Sequence, residues 1–237
     1  MSFYGRSCRT LIEQALEEKV LKGCQIVGCE LSGLAVTDTS WECSDMSDLH
    51  ANDISFRNTR LANSTFFRSS MMRAYFCAAT LNGMTLDGLT LIKSRWQSSR
   101  AEGTVLKNLC LQKANFDSSI FISTSFLDFE AIDMRVDNCI FAHCSLSINY
   151  GSGMNGFSGA SISNSIFYNC RFGGYPMRGA KLNSCVFAHC RGEIGDDMEC
   201  FNVAGLGQSG RAQRAALRNT DEARRLAELC GLQAAAG

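Results

Sequence analysis

The chain has 237 residues, of which 46% are apolar in the wide sense, so it can bury a substantial core. Lys and Arg together number 23, as do Asp and Glu, which excludes an overall charge that would draw the chain to nucleic acid or membrane. No apolar run approaches the roughly 18 residues of a membrane-spanning helix. The first residues lack the apolar stretch of a secretion signal. We therefore expect a cytoplasmic protein whose 13 cysteines are free thiols.

The N-terminal segment 7–18 is predicted to form an amphipathic helix. Thr10 and Glu13 have the spacing of a capping box, which satisfies free backbone groups at a helix start. The predicted apolar side consists of Cys8, Leu11, Ile12, Ala15 and Leu16. We interpret residues 1–18 as an N-terminal helical cap.

The segment 19–204 repeats every five residues. Stepping by five from Leu21 to Leu146 meets a large apolar residue at 23 of 26 positions and Ala at the other three. Neither an α-helix nor an ordinary strand has a period of five. The predicted core includes the largest of these residues, namely Trp41, Phe56, Phe76, Trp96, Phe116, Phe121 and Phe141.

A second column lies two residues before each of these positions and consists mostly of Ala, Cys, Ser and Thr. Because the other three positions of each five carry nearly all the charge, two residues in five are predicted to point inward. Cys139, Cys144 and Cys185 belong to the inward column.

The hexapeptides CIFAHC (139–144) and CVFAHC (185–190) have the residue types of a zinc site. A tetrahedral zinc site needs ligands that converge at about 2.0–2.3 Å. The five-residue frame points Cys139 and Cys144 inward and His143 outward. We therefore predict that these cysteines, together with Cys24, Cys29, Cys170, Cys185 and Cys190, are buried, reduced and free of metal, and we predict no cofactor.

In phrases such as ANFDS, CIFAH and KLNSC, the chain resembles the pentapeptide-repeat family, and the match spans about residues 19–191. The resemblance implies an all-β solenoid, a right-handed quadrilateral parallel β-helix in which four repeats make one 20-residue coil. The counted repeats give about eight coils. The family also implies a bacterial protein that binds other proteins.

Charged residues 20 positions apart are expected to stack on one face of such a solenoid. Arg73, Lys93 and Lys113 form one column, and Tyr75 and Arg95 lie beside it. We predict that these five residues bind a partner protein through an acidic patch on that partner. The alternative is that Asp53, Asp133 and neighbouring acids neutralise the column.

A Gly-rich segment, 147–156, breaks the repeat frame and is predicted to be an extruded loop. The tail 205–237 is predicted to be helical, with Thr220 as a possible N-cap and Ala212, Ala216, Ala223, Leu226, Ala227 and Cys230 on one side. It either caps the last coil or forms a homodimer.

No convergent set of catalytic residues is apparent, so we predict a non-enzymatic scaffold for protein–protein interaction. The alternatives are a DNA mimic that binds type II topoisomerase (gyrase), like the quinolone-resistance branch of the family, or a bacterial effector delivered to host cells. Residues 57–113 form a basic central band with nine Lys and Arg against only Asp87 and Glu102, and this band and the zero net charge argue against DNA mimicry. Duplex DNA is a poor ligand, because acidic segments flank the band.

Overall fold

The chain folds into a parallel β-solenoid, shown by a computed structural model that describes residues 2–4 and 8–206. Three sides of each coil carry short strands that pair with strands one coil above and below. The fourth side is a turn joined to its neighbours by isolated bridges such as Glu30 to His50, and we call it the turn side. The prediction of an all-β solenoid is confirmed.

The strands form three stacked sheets, A, B and C. Sheet A contains Ser2–Tyr4, Gln25–Val27, Asp45–Ser47, Thr65–Phe67, Thr85–Asp87, Val105–Cys110, Ser125–Glu130, Ser145–Ser147, Arg171–Gly173 and Arg191–Gly192. Sheet B contains Val20–Lys22, Ser40–Glu42, Arg60–Ala62, Thr80–Asn82, Arg100–Glu102, Ile120–Ile122, Ile140–Ala142, Ile166–Tyr168 and Val186–Ala188. Sheet C contains Ala35–Thr37, Ser55–Arg57, Tyr75–Cys77, Arg95–Gln97, Asn115–Asp117, Arg135–Asp137, Ser161–Ser163, Lys181–Asn183 and Glu199–Phe201.

The five-residue period arises from a corner in the left-handed backbone region. Asp48, Asp53 and Asn58 occupy successive corners with φ of 54°, 59° and 48°. Asn, Asp and Gly tolerate this region better than other residues, and they recur at this position in the sequence. Each corner turns the chain onto a new side, so that backbone N–H groups donate to carbonyls of the neighbouring coil.

Stacked aromatic side chains fill the interior. In sheet C, the ring centroids of Phe56, Phe76, Trp96 and Phe116 follow one another at 5.2, 4.3 and 5.2 Å. In sheet B, those of Phe121, Phe141, Phe167 and Phe187 follow at 4.9, 4.7 and 4.7 Å. All residues predicted for the core are buried, namely Trp41, Phe56, Phe76, Trp96, Phe116, Phe121, Phe141, Cys139, Cys144 and Cys185.

Most hydroxyl groups of the small inward column form hydrogen bonds within their coil or with the next one, although those of Thr39 and Ser94 have no hydrogen-bond partner. The Ser64 hydroxyl donates to the Ala62 carbonyl at 2.8 Å and accepts from the Ser44 N–H, one coil away, at 3.0 Å. The Cys144 thiol similarly lies 3.4 Å from the Ala142 carbonyl. A buried polar group without such a partner would cost stability, which explains why small residues with one donor suit this column.

The described solenoid is taller than predicted. Sheet A has ten strands and sheets B and C have nine each within residues 2–4 and 8–206, so there are about ten coils rather than eight. The repeat count missed rows at both ends. Ser2–Tyr4 pairs beside Gln25–Val27, and Glu199–Phe201 extends sheet C after Lys181–Asn183.

A helix, Cys8–Glu17, lies at the N-terminal end, as predicted, and buries Cys8 and Ile12. Leu11, predicted on the same apolar side, is exposed, and Thr10 is the third helical residue, so it is not the N-cap of the predicted capping box. A disulfide joins Cys8 to Cys29, which corrects the prediction that Cys29 is a free thiol. The reason is that the helix packs across the first coil and brings the two Cα atoms within 6.1 Å, a separation that a disulfide spans.

The loop lengthens one coil without disturbing the rows above it. Val136 pairs with Ile162, a step of 26 residues, whereas Phe116 pairs with Val136 over the usual 20. The chain leaves sheet A after Ser147 and regains its frame at Gly156, which bridges Glu130 on the turn side. The predicted tail helix and dimer contact fall almost wholly in residues 207–237, outside the described residues. Within the described ranges, no helix has the length and apolar character required to cross a bilayer.

Candidate protein-binding surface

The five predicted binding residues lie together on one edge of the solenoid. Tyr75 and Arg95 are paired neighbours at the start of adjacent strands in sheet C. Arg73, Lys93 and Lys113 occupy the corner where the turn side meets sheet C, one coil apart. We call these five residues the basic strip. The 20-residue step therefore brings them into contiguous rows spaced by about 4.8 Å.

Arg73 is the only cation of the basic strip with an ion pair among the described residues. Its Nε and Nη2 atoms donate to Asp53 Oδ1 and Oδ2 at 2.7 and 2.6 Å. The hydrogen bond from Arg73 lowers the pKa of the Asp53 carboxyl. The pair is half-exposed on both sides, so water weakens it.

Lys93, Arg95 and Lys113 are exposed and make no ion pair within residues 2–4 and 8–206. Elsewhere on the solenoid, acids one coil away neutralise cations. Arg68 contacts Asp48 at 3.2 Å, and Lys107 contacts Asp87 at 3.0 Å. Of the cations in the column, therefore, only Arg73 is neutralised by an acid, Asp53, and Asp133 makes no ion pair with Lys113 in this structure.

Tyr75 is held in place by two neighbours that the sequence analysis did not single out. The Arg57 guanidinium lies 5.0 Å from the Tyr75 ring centroid. The Tyr75 hydroxyl donates to Gln97 Oε1 at 2.6 Å. Hydrogen bonding with Cys77 and burial raise the pKa of the Tyr75 phenol. The coil period could have predicted that both Arg57 and Gln97 lie near Tyr75, because Arg57, Cys77 and Gln97 form one column of sheet C.

Apolar side chains border the basic strip on the turn side. Met72 and Ile92 precede Arg73 and Lys93 in the chain and are half-buried, whereas Gln112 holds the same position before Lys113. Arg135 extends the cationic edge, because it pairs with Asn115, which in turn pairs with Arg95. The surface thus combines fixed positive charge with a partly apolar border, the composition expected of a protein-binding patch.

The two Cys–His hexapeptides place thiol and imidazole on opposite sides of the wall. Cys139 and Cys144 are buried, whereas His143 is exposed and its Nδ1 lies 2.8 Å from Asn169 Nδ2. Burial raises the pKa of the Cys139 thiol to about 12. No set of three His, Cys, Asp or Glu residues suited to a metal ion occurs in the described part of the chain.

The inserted loop forms a shallow pocket on the edge of sheet A. Asp128 anchors it by accepting hydrogen bonds from the Asn149 backbone N–H and side-chain amide, both at 2.7 Å. Tyr150 at its tip is 92% exposed. Ile148, Met154 and Gly174 line the pocket, which contains no charged group.

No family model and no curated protein sequence matches the chain. Among solved structures, the pentapeptide-repeat protein HetL, described as involved in heterocyst differentiation regulation in the cyanobacterium Nostoc sp. strain PCC 7120, is 13% identical with a TM-score of 0.44. That match covers 88% of this chain and all of HetL. Trypsin-treated QnrB1, a plasmid-mediated fluoroquinolone resistance protein, is 15% identical with a TM-score of 0.40, over 98% of this chain and 94% of QnrB1.

A solenoid from an enzyme also matches. The catalytic domain of Agl-KA is 9% identical with a TM-score of 0.43, over 77% of this chain and 46% of that domain. Because all these TM-scores lie below 0.5, the fold description depends on the strand pairing of the chain itself.

Proposed function

We propose that the chain is a pentapeptide-repeat protein that acts without catalysis as a scaffold and binds another protein through the basic strip. The observation that supports this most directly is the absence of ion pairs on Lys93, Arg95 and Lys113 within the described residues. Lys93 and Arg95 lie in one coil and Lys113 in the next, so the three like charges repel one another, and an acidic partner surface would relieve that repulsion.

The geometry also fits a docking surface in which the partner's orientation is fixed. Tyr75 is held by Arg57 and Gln97, so little side-chain entropy is lost when a partner packs against it. Met72 and Ile92 add apolar contact beside the charges. Acidic residues on the same sheet, Asp117 and Asp137, would repel a partner's acidic patch that slid along the rod.

The proposed scaffold differs from a DNA mimic in its outer charge. A mimic of duplex DNA needs continuous negative rows, whereas exposed Lys93, Arg95, Lys113 and Arg135 interrupt them. This arrangement favours an acidic protein partner over a topoisomerase surface that normally holds DNA.

The test is charge reversal with a matched control. The double variant Lys93→Glu/Arg95→Glu removes two cations of the basic strip. Arg171→Glu/Arg191→Glu makes the same charge change at two exposed, paired arginines on sheet A. Each tagged chain is used to capture proteins from a lysate of the source cell at low and high salt, followed by mass spectrometry.

We expect at least one partner that is captured by the parent and the sheet A variant, lost from the basic-strip variant, and weakened as salt rises. If both double variants retain every partner at the parental level, the basic strip is only a solvated face.

A further inference from the structure

The corner between sheets B and A changes character towards the C-terminal end of the described solenoid. Its first positions carry uncharged residues, namely Gly23, Cys43, Asn63, Gly83, Gly103 and Ser123. The following corners carry His143, Asn169 and His189. Two residues after the last two of these, Arg171 and Arg191 begin strands of sheet A. Aromatic and cationic groups therefore cluster at one end of this corner.

Tyr168 lies between the two imidazole rings and contacts both. Its ring centroid is 5.5 Å from that of His143 and 5.6 Å from that of His189, with interplanar angles of 88° and 82°. The strand neighbours of Tyr168 are Ala142 and Ala188, whose small side chains leave room for its ring. Edge-to-face contacts of this kind are a favoured arrangement of aromatic rings, so they fix the orientation of both imidazoles.

A hydrogen bond orients His143 further. Asn169 Nδ2 donates to His143 Nδ1 at 2.8 Å. An amide nitrogen only donates, so Nδ1 accepts and the ring hydrogen is on Nε2. Because His143 is exposed, this N–H group is available to a ligand. The sequence alone places His143 at a corner but does not reveal the contacts that orient its ring.

Arg171 and Arg191 form a pair of cations beside the imidazoles. They are partners on adjacent strands of sheet A, so their Cα atoms are about 4.8 Å apart. Both are exposed, and neither makes an ion pair within residues 2–4 and 8–206, although Glu193 lies two residues beyond Arg191. By contrast, Arg178, in the same coil as Arg171, lies 3.0 Å from a carboxylate oxygen of Asp196.

We propose that a phosphorylated segment of another protein binds here, with its phosphate group bridging the guanidinium groups of Arg171 and Arg191. We call His143, Tyr168, His189, Arg171 and Arg191 the histidine edge. A guanidinium group presents its donors as a planar fork that binds phosphate bidentately. A phosphate monoester has three terminal oxygens and can engage both forks, whereas a carboxylate has two oxygens.

The imidazoles add what a bound peptide needs besides its phosphate. They supply N–H donors and ring surface next to the arginines, and Tyr168 holds them in place before the ligand arrives. Little side-chain entropy is therefore lost at these two rings on binding. Clustered arginines are the usual protein groups that recognise phosphorylated motifs.

The histidine edge and the basic strip lie on diagonally opposite corners of the solenoid. In each coil the chain passes through sheet B, sheet A, the turn side and sheet C in that order. The histidine edge occupies the corner between sheets B and A, whereas the basic strip occupies the corner between the turn side and sheet C. Two ligands can therefore bind at once, and the histidine edge does not depend on the function proposed for the basic strip.

The experiment uses the three histidines of the chain as reporters. A short Gly/Ala peptide with a central phosphoserine is titrated into the full chain at constant pH and ionic strength. Proton NMR follows the Cε1–H signal of each imidazole, and single His→Gln variants assign the signals. His50 lies on the turn side, away from the histidine edge, and serves as the internal reference. The same peptide with Glu in place of phosphoserine and inorganic phosphate are the comparison ligands.

We expect the phosphoserine peptide to move the signals of His143 and His189 and to leave that of His50 in place. Arg171→Gln/Arg191→Gln should weaken binding about tenfold or more, because the charge-assisted hydrogen bonds to both guanidinium groups are lost.

The matched control is Arg178→Gln/Lys181→Gln. It removes two exposed cations from the same end of the rod, and these already pair with Asp196 and Glu199 at 3.0 and 3.5 Å. The dissociation constant of the phosphoserine peptide should change less than about twofold in this variant. Circular dichroism of both double variants checks that the solenoid is intact.

Unchanged affinity in Arg171→Gln/Arg191→Gln, or a shift at His50 equal to those at His143 and His189, would overturn the site. Equally tight binding of the Glu peptide would overturn the choice of phosphate. Equally tight binding of inorganic phosphate would overturn the choice of a protein segment as the ligand.

Discussion

Sheets B and C share one interior plan and differ almost wholly on their outer faces. Inside, each stacks aromatic rings at centroid distances of 4.3–5.2 Å. Outside, sheet C carries Tyr75, Arg95 and Arg135, whereas sheet B carries Ile120, Ile140 and Ile166 in its later coils. The two inward positions of each repeat specify the solenoid, which leaves the three outward positions free to specify what each side binds.

The largest effect should come from the shared interior. Phe76→Asp places an unpaired charge in the sheet C stack and should unfold the chain, because burial of such a charge costs several kcal/mol. Phe76→Leu, which keeps the site apolar, should cost about 1 kcal/mol. Thermal melting followed by circular dichroism checks both. A Phe76→Asp variant that melts within about two degrees of the parent would contradict the inward assignment.

Substitutions on the outer faces of sheets B and C should differ in how much they lower the free energy of unfolding. Ile140→Ser should lower the free energy of unfolding by about 1–2 kcal/mol, because Ile140 is 7% exposed and loses buried apolar surface. Arg95→Ser, at an exposed position of sheet C, should change it by less than about 0.5 kcal/mol. Urea unfolding of both variants measures the difference. Equal costs would mean that the two outer faces contribute alike to stability.

A smaller effect should appear at alkaline pH. The pKa of Cys139 is raised by burial to about 12, so the folded state retains a proton that the unfolded state loses above about pH 9. Stability should therefore fall as pH rises from about 9 towards 12. At pH 10 this thiol accounts for a loss of roughly 1 kcal/mol.

The control for that titration is Cys139→Ser, since Ser119 and Ser165 fill the same column in the adjacent coils. Urea unfolding at pH 7.5 and pH 10 should show a smaller decrease for this variant than for the parent. The same decrease in both chains would show that Cys139 is not the group concerned.

The smallest effect on stability should come from Asp53→Asn. The ion pair with Arg73 is half-exposed on both sides, so its loss should leave the unfolding midpoint unchanged. It should nevertheless strengthen capture of an acidic partner, because a fourth cation of the basic strip becomes free. Weaker capture would show that Asp53 itself contacts the partner.

Much of this architecture could be predicted because it follows from local periodicity. The five-residue frame determines which side chains point inward, and the 20-residue step predicts pairs such as Tyr75 with Arg95. The same step places Ile120, Ile140 and Val186 in one outward column once the six extra residues of the loop coil are included.

The remaining features depend on contacts that no period encodes. The Cys8–Cys29 disulfide follows from where the helix lies on the first coil. The coil period places Arg57 one row from Tyr75, but the approach of its guanidinium to the Tyr75 ring depends on its side-chain rotamer. Asp53 engages Arg73, whereas Asp133 makes no ion pair with Lys113, although both acids are one coil from their cation. These side-chain choices determine which charged groups remain free of an ion pair and can contact a partner.

The 26-residue coil has a consequence for protein engineering. Since the rows after the loop resume parallel pairing, the solenoid tolerates added chain at this corner, and foreign peptides grafted between Asn149 and Asn155 should be displayed without disturbing the core. The graft must spare Gly156 and Gly174. Both have positive φ, and a Cβ atom at either would collide with a backbone carbonyl, that of Pro176 or Ile148, respectively.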